Sequence, residues 1–148
     1  MPFRRTLPAL LLVMGAAALP AQAVVTPQAA KPAQLPADSM ELARKYTTWF
    51  YNNQLDSLVA HMDSASRSQG RSKDQLQQNL AQLADRGGTE VTVIDEKFIT
   101  RNGVRQYWRT AKFSNLGEPL LIRWVMNAKG EATGFGLGLL RQAPAIDP

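Results

Sequence analysis

Few residues in this chain could do chemistry, and their spacing narrows the choice. His61 is the single histidine among 148 residues, and cysteine is absent. A histidine-based metal cluster, a cysteine metal site, a disulfide and a lipid-anchored cysteine are therefore all excluded. Asp63 is the nearest partner from which His61 could draw general-base character. Residues two apart on a helix point in different directions, however, and nothing nearby supplies a nucleophile. His61 reads better as a surface or helix-end residue. No Gly-x-Ser-x-Gly elbow and no Ser-x-x-Lys occur, which leaves no serine-hydrolase machinery. Gly134-Phe135-Gly136-Leu137-Gly138 lacks the spacing and the following helix of a nucleotide loop, and reads as a strand with one shallow face.

Two groups of charged residues remain. Arg105, Arg109 and Arg123 are expected on one side of a sheet with Tyr107, where arginines beside an aromatic can hold an anionic group. The plainer expectation is a solvated face, with Glu96 or Glu118 as ion-pair partners. Asp95 and Glu96 are the acids nearest an apolar strand, and a buried acid is what an isomerase or dehydratase would require. No acid–base partner for them is visible, so no catalytic residue, metal or cofactor is assigned.

The elements that must position these residues are clearer. Residues 89–140 read as four consecutive strands. Asn102-Gly103 supplies the two positive φ angles of a type I′ turn between 89–101 and 104–115, and both flanks are rich in β-branched and aromatic residues. The turn formers of 115–119 lead into a third strand at 119–127, and Ala128-Lys129-Gly130 turns it into a fourth at 131–140. Leu120, Ile122, Trp124 and Met126 share one parity, as do Phe135, Leu137 and Leu139. The opposite face also carries apolar residues, which predicts a cover for it, such as a second copy of the chain.

Helices precede the sheet. Asp38-Ser39-Met40-Glu41 and Ser72-Lys73-Asp74-Gln75 resemble capping boxes. The first helix is expected to bury Leu42, Tyr46, Trp49, Phe50 and Asn53. A second, beginning near Asp56, buries Leu55, Leu58, Val59 and Met62. A third presents Leu76, Leu80 and Leu83 and stops at Gly87-Gly88. Residues 64–71 are expected to be a loop.

Before the domain, 1–23 shows a basic start (Arg4, Arg5), an apolar run and Ala21-Gln22-Ala23, the three-part pattern of a cleavable secretory signal. Cleavage near Ala23 removes two arginines and leaves 15 basic residues against 12 acids, a net +3. That balance gives no argument for nucleic acid, and no later run is apolar enough for stable membrane insertion. Residues 24–37 form a Pro/Ala/Gln-rich linker, 38–141 the domain and 142–148 a loose tail. An exported chain without disulfides suits a bacterial periplasm or the cell exterior.

Three helices followed by an antiparallel meander make an α+β arrangement. Residues 43–50, 55–62 and 83–88, the run from Tyr107 to Phe113, and 121–137 with its Lys129-Gly130 turn and Gly134 carry a resemblance. They resemble the nuclear-transport-factor-two-like, or cystatin-like, superfamily, and within it a bacterial exported family of unknown function sometimes found ahead of serine-hydrolase domains. The resemblance implies N-terminal helices packed on a curved four-stranded sheet, cone-shaped and with an internal pocket. It implies a pocket lining drawn from Tyr46, Trp49, Phe50, Met62, Tyr107, Trp108, Arg109, Arg123, Trp124 and Phe135. The expected function is non-catalytic binding of a small apolar or amphipathic ligand, or of a protein on the sheet face. The alternatives are a homodimeric accessory domain and an enzyme using a pocket carboxylate or His61.

Overall fold

The computed structural model describes residues 35–68 and 72–146. The signal-like segment 1–23 and nearly all of the linker lie outside the described residues. The chain is an α+β protein in which helices precede a four-stranded antiparallel sheet. Its elements are α1 (Ser39–Tyr51), α2 (Leu55–Ala60), α3 (Ser64–Ser68), α4 (Ser72–Gln82), a π-helical turn (Leu83–Gly87), β1 (Glu90–Arg101), β2 (Val104–Phe113), β3 (Leu120–Met126) and β4 (Ala132–Leu139). Strand order follows chain order. Among the described residues no helix is long and apolar enough to cross a membrane.

Asn102 and Gly103 adopt φ of 51° and 72°, the pair of left-handed residues that a twisted two-residue hairpin needs. The β3–β4 turn is held by Asn127, whose side-chain oxygen accepts from the Lys129 and Glu131 amides at 2.9 and 3.0 Å. Trp124 lies opposite Phe135, and Ile122 opposite Leu137, so the parity expected for β3 and β4 holds.

The helices depart from expectation in three places. First, Asp38 makes no side-chain cap to α1; instead the Ser39 hydroxyl and amide both donate to the Pro36 carbonyl, at 2.6 and 3.1 Å. Second, α1 turns inward a face rotated from the expected one, toward Ala43 and Thr47. Ser39, Ala43, Tyr46, Thr47 and Phe50 are buried, whereas Leu42 and Trp49 flank that face and Asn53 is exposed at a φ of 55°. Small residues on the buried stripe let α1 lie close to the sheet. Third, 64–68 is a helix and not a loop, because Asp63 accepts from the amides of Ala65 and Ser66 at 3.2 Å and so satisfies the first turn. The side chain of Ser72 is outside the described residues.

The inner face of the sheet and the helices enclose one core. Trp124 sits at its centre, with Phe135, Tyr46 and Phe50 around it at ring-centroid distances of 4.5, 5.8 and 6.3 Å. Its indole N–H donates to Thr47 Oγ1 at 2.9 Å, so the one polar atom of the ring is satisfied where water cannot reach. Tyr46 does the same for the turn, donating from Oη to the Gly130 carbonyl at 2.8 Å. Burial, with the nearby charge of Glu131, pushes the Tyr46 phenol up to about 12, and it stays a donor at any physiological pH. Tyr46→Phe leaves the packing and orphans a buried carbonyl. The expected loss is about 1 kcal/mol in urea unfolding, without a change in slope.

The outer face has a smaller cluster of Ile99, Trp108 and Leu121, with Ala143 packed on it. The chain after Leu139 forms a 3-10 turn (Leu140–Gln142), and the start of the segment expected to be a loose tail, 142–148, packs over this face through Ala143. Arg101 Nε donates to the Ala145 carbonyl at 3.0 Å. Part of the cover expected from a second copy is therefore supplied by the chain itself.

Candidate functional site

The site begins with two irregularities in β1. Register shifts fall between Glu90 and Thr92 and between Val93 and Asp95, each placing an extra residue in β1. Glu90 consequently lies opposite Phe113 and Glu96 opposite Arg109. Six steps along β1 match only four along β2, and both carboxylates face inward near one arginine. Arg109 takes Glu90 as a fork, Nη2 to Oε1 at 2.5 Å and Nε to Oε2 at 3.0 Å, while its Nη1 donates to Glu96 Oε1. The planar guanidinium is suited to bridging two carboxylates in this way.

The rest of the cluster comes from α1 and β2. Tyr51 Oη donates to Glu90 Oε2 at 2.7 Å, and Tyr107 Oη donates to Glu96 Oε1. Arg44 Nε and Nη2 reach Glu96 Oε2 at 2.9 and 2.8 Å. Arg44, Thr47, Thr48 and Tyr51 form one stripe of α1 at three- and four-residue spacing. Facing them across a gap are Leu80, Leu83 and Ala84. Glu90, Arg109 and Phe113 form the floor, and the open cleft has a volume of about 720 Å³, in the range of small-molecule sites. The π-helical turn after α4 sets the position of Leu83 and Ala84, and such single turns often mark functional sites. Gly88 ends it at a φ of 74°, where an added Cβ would sit 2.2 Å from Ser114 Oγ. No other residue fits there.

Charge is balanced in the cluster, with two carboxylates against two guanidiniums, and Arg44, Glu90 and Arg109 of it reach the cleft wall. Burial pushes the Glu90 carboxyl up, but hydrogen bonds from Arg109 and Tyr51 outweigh it and hold the group below the ordinary carboxylate range. Glu96 is likewise pushed up by burial and brought below that range by Tyr107, Arg44 and the charge of Arg109. Burial raises the Tyr51 and Tyr107 phenols, and their carboxylate partners raise them further. The hydrogen bonds to Glu90 raise Arg109 in turn. Most polar lining groups are already paired. Thr47 donates to the Ala43 carbonyl and Thr48 to that of Arg44. The side chains of Asn52 and Thr89, both on the wall, have no partner among the described residues.

Of the ten residues expected to line a pocket, Arg109 is the one on this wall. Tyr46, Phe50, Met62, Tyr107 and Trp124 are buried in the main core, with Trp49 and Phe135 packed against it. Trp108 belongs to the outer cluster. Arg123 is opposite Trp108 in the ladder, whereas Tyr107 faces Trp124. The expectation that Arg123 shares a face with Tyr107 and Arg109 is therefore corrected, while Arg105 keeps that parity. Glu118 pairs with Arg141, and Asp95 with Lys97. His61 is exposed, with Nδ1 2.9 Å from the Ser57 carbonyl and its ring 4.6 Å from that of Trp49. It is not on the cleft wall. Among the described residues no group of three or more His, Cys, Asp or Glu could hold a metal ion.

Sequence reasoning picked out Glu96 and Arg109 but missed Glu90, Tyr51 and Arg44. The available signal was a strand carrying Glu at both ends of an apolar run, opposite an arginine. It becomes a site only through the two bulges. No family model, no curated protein and no solved structure matches this chain.

Proposed function

We propose that the protein is a non-catalytic binding domain whose ligand is a small, uncharged, amphipathic molecule held between α1, α4, β1 and β2. The observation that carries this is the 720 Å³ cleft with one apolar wall, one polar wall and an ion-paired floor. Leu80, Leu83, Ala84 and Phe113 take the apolar part of the ligand. Asn52, Thr89 and the spare lone pairs of Glu90 meet its polar group. A free anion would face Glu90, and a free cation would compete with Arg109 for it, so a neutral ligand fits best. The proposal includes the nuclear-transport-factor-two-like architecture and an exported location, which the secretory pattern of 1–23 supports.

The electrostatics favour binding over proton transfer. A general base works best with a pKa near the operating pH, and both carboxylates are held on the acid side of their ordinary range. The isomerase-like alternative needs the reverse.

N-phenyl-1-naphthylamine, a neutral dye with one N–H donor, serves as the probe. We expect one saturable site, read by fluorescence. Ala84→Trp, which fills the cleft from an exposed wall position, is expected to weaken binding at least tenfold while the thermal midpoint stays within a few degrees. Equal binding by the variant would place the dye elsewhere and overturn the assignment.

A further inference from the structure

Arg123 takes no part in the cleft, and its surroundings are unusual for an arginine. It projects from β3 on the outer face, opposite Gly136 of β4. Its guanidinium lies flat across that glycine, so that a Cβ there would come 2.5 Å from Nη2. Among the described residues its guanidinium meets no carboxylate and donates no hydrogen bond. The other arginines of the sheet and of the turn after it are engaged: Arg109 and Arg141 with acids, Arg105 with Thr100, Arg101 with the Ala145 carbonyl. Arg101 is on the same face as Arg123. Burial, and then the charge of Arg101, lower the Arg123 pKa from its ordinary value. A half-buried cation beside a second cation has lost water and gained repulsion, and an anion would reverse both effects.

The groove holding Arg123 has a volume of about 160 Å³. One wall is the returning C-terminal segment, with Gln142 and Pro144, and the floor includes Gly138. A Cβ at Gly138 would meet nothing within 4 Å, so the floor is open. With a water occupying about 30 Å³ of liquid, this space takes one small polar group and not a drug-sized ligand.

We infer that this groove is a second binding site, for a single oxyanion group that Arg123 holds as a fork between β4 and the C-terminal segment. Arg101 adds long-range attraction, and the side-chain amide of Gln142 supplies a further donor. Phosphate and carboxylate share this chemistry, and two probes separate them. The site is independent of the inner cleft, on the opposite face of the sheet.

The test is an amide NMR titration of the full chain with inorganic phosphate and, separately, sodium acetate, at ionic strength fixed with chloride. We expect saturable shifts with one common constant at Arg123 Nε–H, the Gly136 and Gly138 amides and the Gln142 side-chain amide. Tighter phosphate binding would point to a phosphorylated ligand, and equal or tighter acetate binding to a carboxylate. Arg123→Gln should weaken binding by about tenfold or more, as expected for loss of charged hydrogen bonds. Arg141→Gln should leave it unchanged. If R123Q does not fold, Gly138→Val fills the open floor and should produce the same loss. Shifts that do not saturate, or that persist in both R123Q and G138V, would overturn the site. So would binding seen in Asp147→Asn but not in the unaltered chain, which would make that carboxylate, outside the described residues, the occupant.

Discussion

Replacing Trp124 with alanine is expected to cost about 3–5 kcal/mol, the range for deleting a large buried aromatic. Trp124 is fully buried, and its ring edges or faces meet Tyr46, Phe50 and Phe135. The loss has two parts. The cavity cannot collapse, because its walls come from both α1 and the sheet. The Thr47 hydroxyl also loses the indole donor that ties α1 to β3. Urea unfolding followed by far-ultraviolet circular dichroism measures the loss as a lower midpoint. Trp124→Phe keeps most of the volume and should recover more than half of the loss. A drop below about 1 kcal/mol for the alanine variant would mean that the helices and sheet do not share this core.

The second large effect concerns Arg109. Arg109→Ala leaves Glu90 and Glu96 facing each other with their shared cation gone. Breaking a fully buried pair costs about 3–5 kcal/mol. The three side chains here are 14–16 % exposed, so solvent screening trims the expected loss to about 2–3 kcal/mol at pH 7. The pH dependence identifies the cause. In the unaltered protein both carboxylates are held below their ordinary value. Their contribution is therefore present above about pH 4.3, the unfolded glutamate value, and is lost as pH falls through the folded pKa values. In the variant Glu90 loses its main partner and is pushed up by burial, while Glu96 keeps Tyr107 and Arg44, and acid relieves the repulsion between the two carboxylates. The gap between the two proteins should be widest near pH 7 and should narrow by pH 4. A gap independent of pH would mean that Arg109 acts through packing alone.

The sheet could be read from sequence because its signals are local. Asn102-Gly103 fixes a turn whatever surrounds it, and the alternation from Leu120 to Met126 follows from strand geometry. The helix α3 was missed because its stretch is polar and its one organising feature, Asp63, precedes it. The buried face of α1 is offset from the one its large apolar residues suggest, because Ala43 and Thr47 are buried there and carry little hydrophobic signal. The cleft was out of reach for a different reason. Glu90 and Glu96 share Arg109 only because β1 carries two extra residues, and no local residue type announces those bulges. The aromatic residues expected around a pocket pack against one another instead, and the cleft opens beside them. The unpaired state of Arg123 depends on a β-ladder register that places it over Gly136, away from Tyr107.

The central claim is that the cleft between α1, α4 and the β1–β2 hairpin is a ligand site. The most direct measurement is a crystal structure of the protein purified from its own cells without organic additives. The account predicts electron density for a small molecule against Leu83 and Phe113, with a polar atom within hydrogen-bond distance of Glu90, Asn52 or Thr89. A cleft filled by repacked side chains, with Leu80 and Leu83 collapsed onto Tyr51, would contradict it.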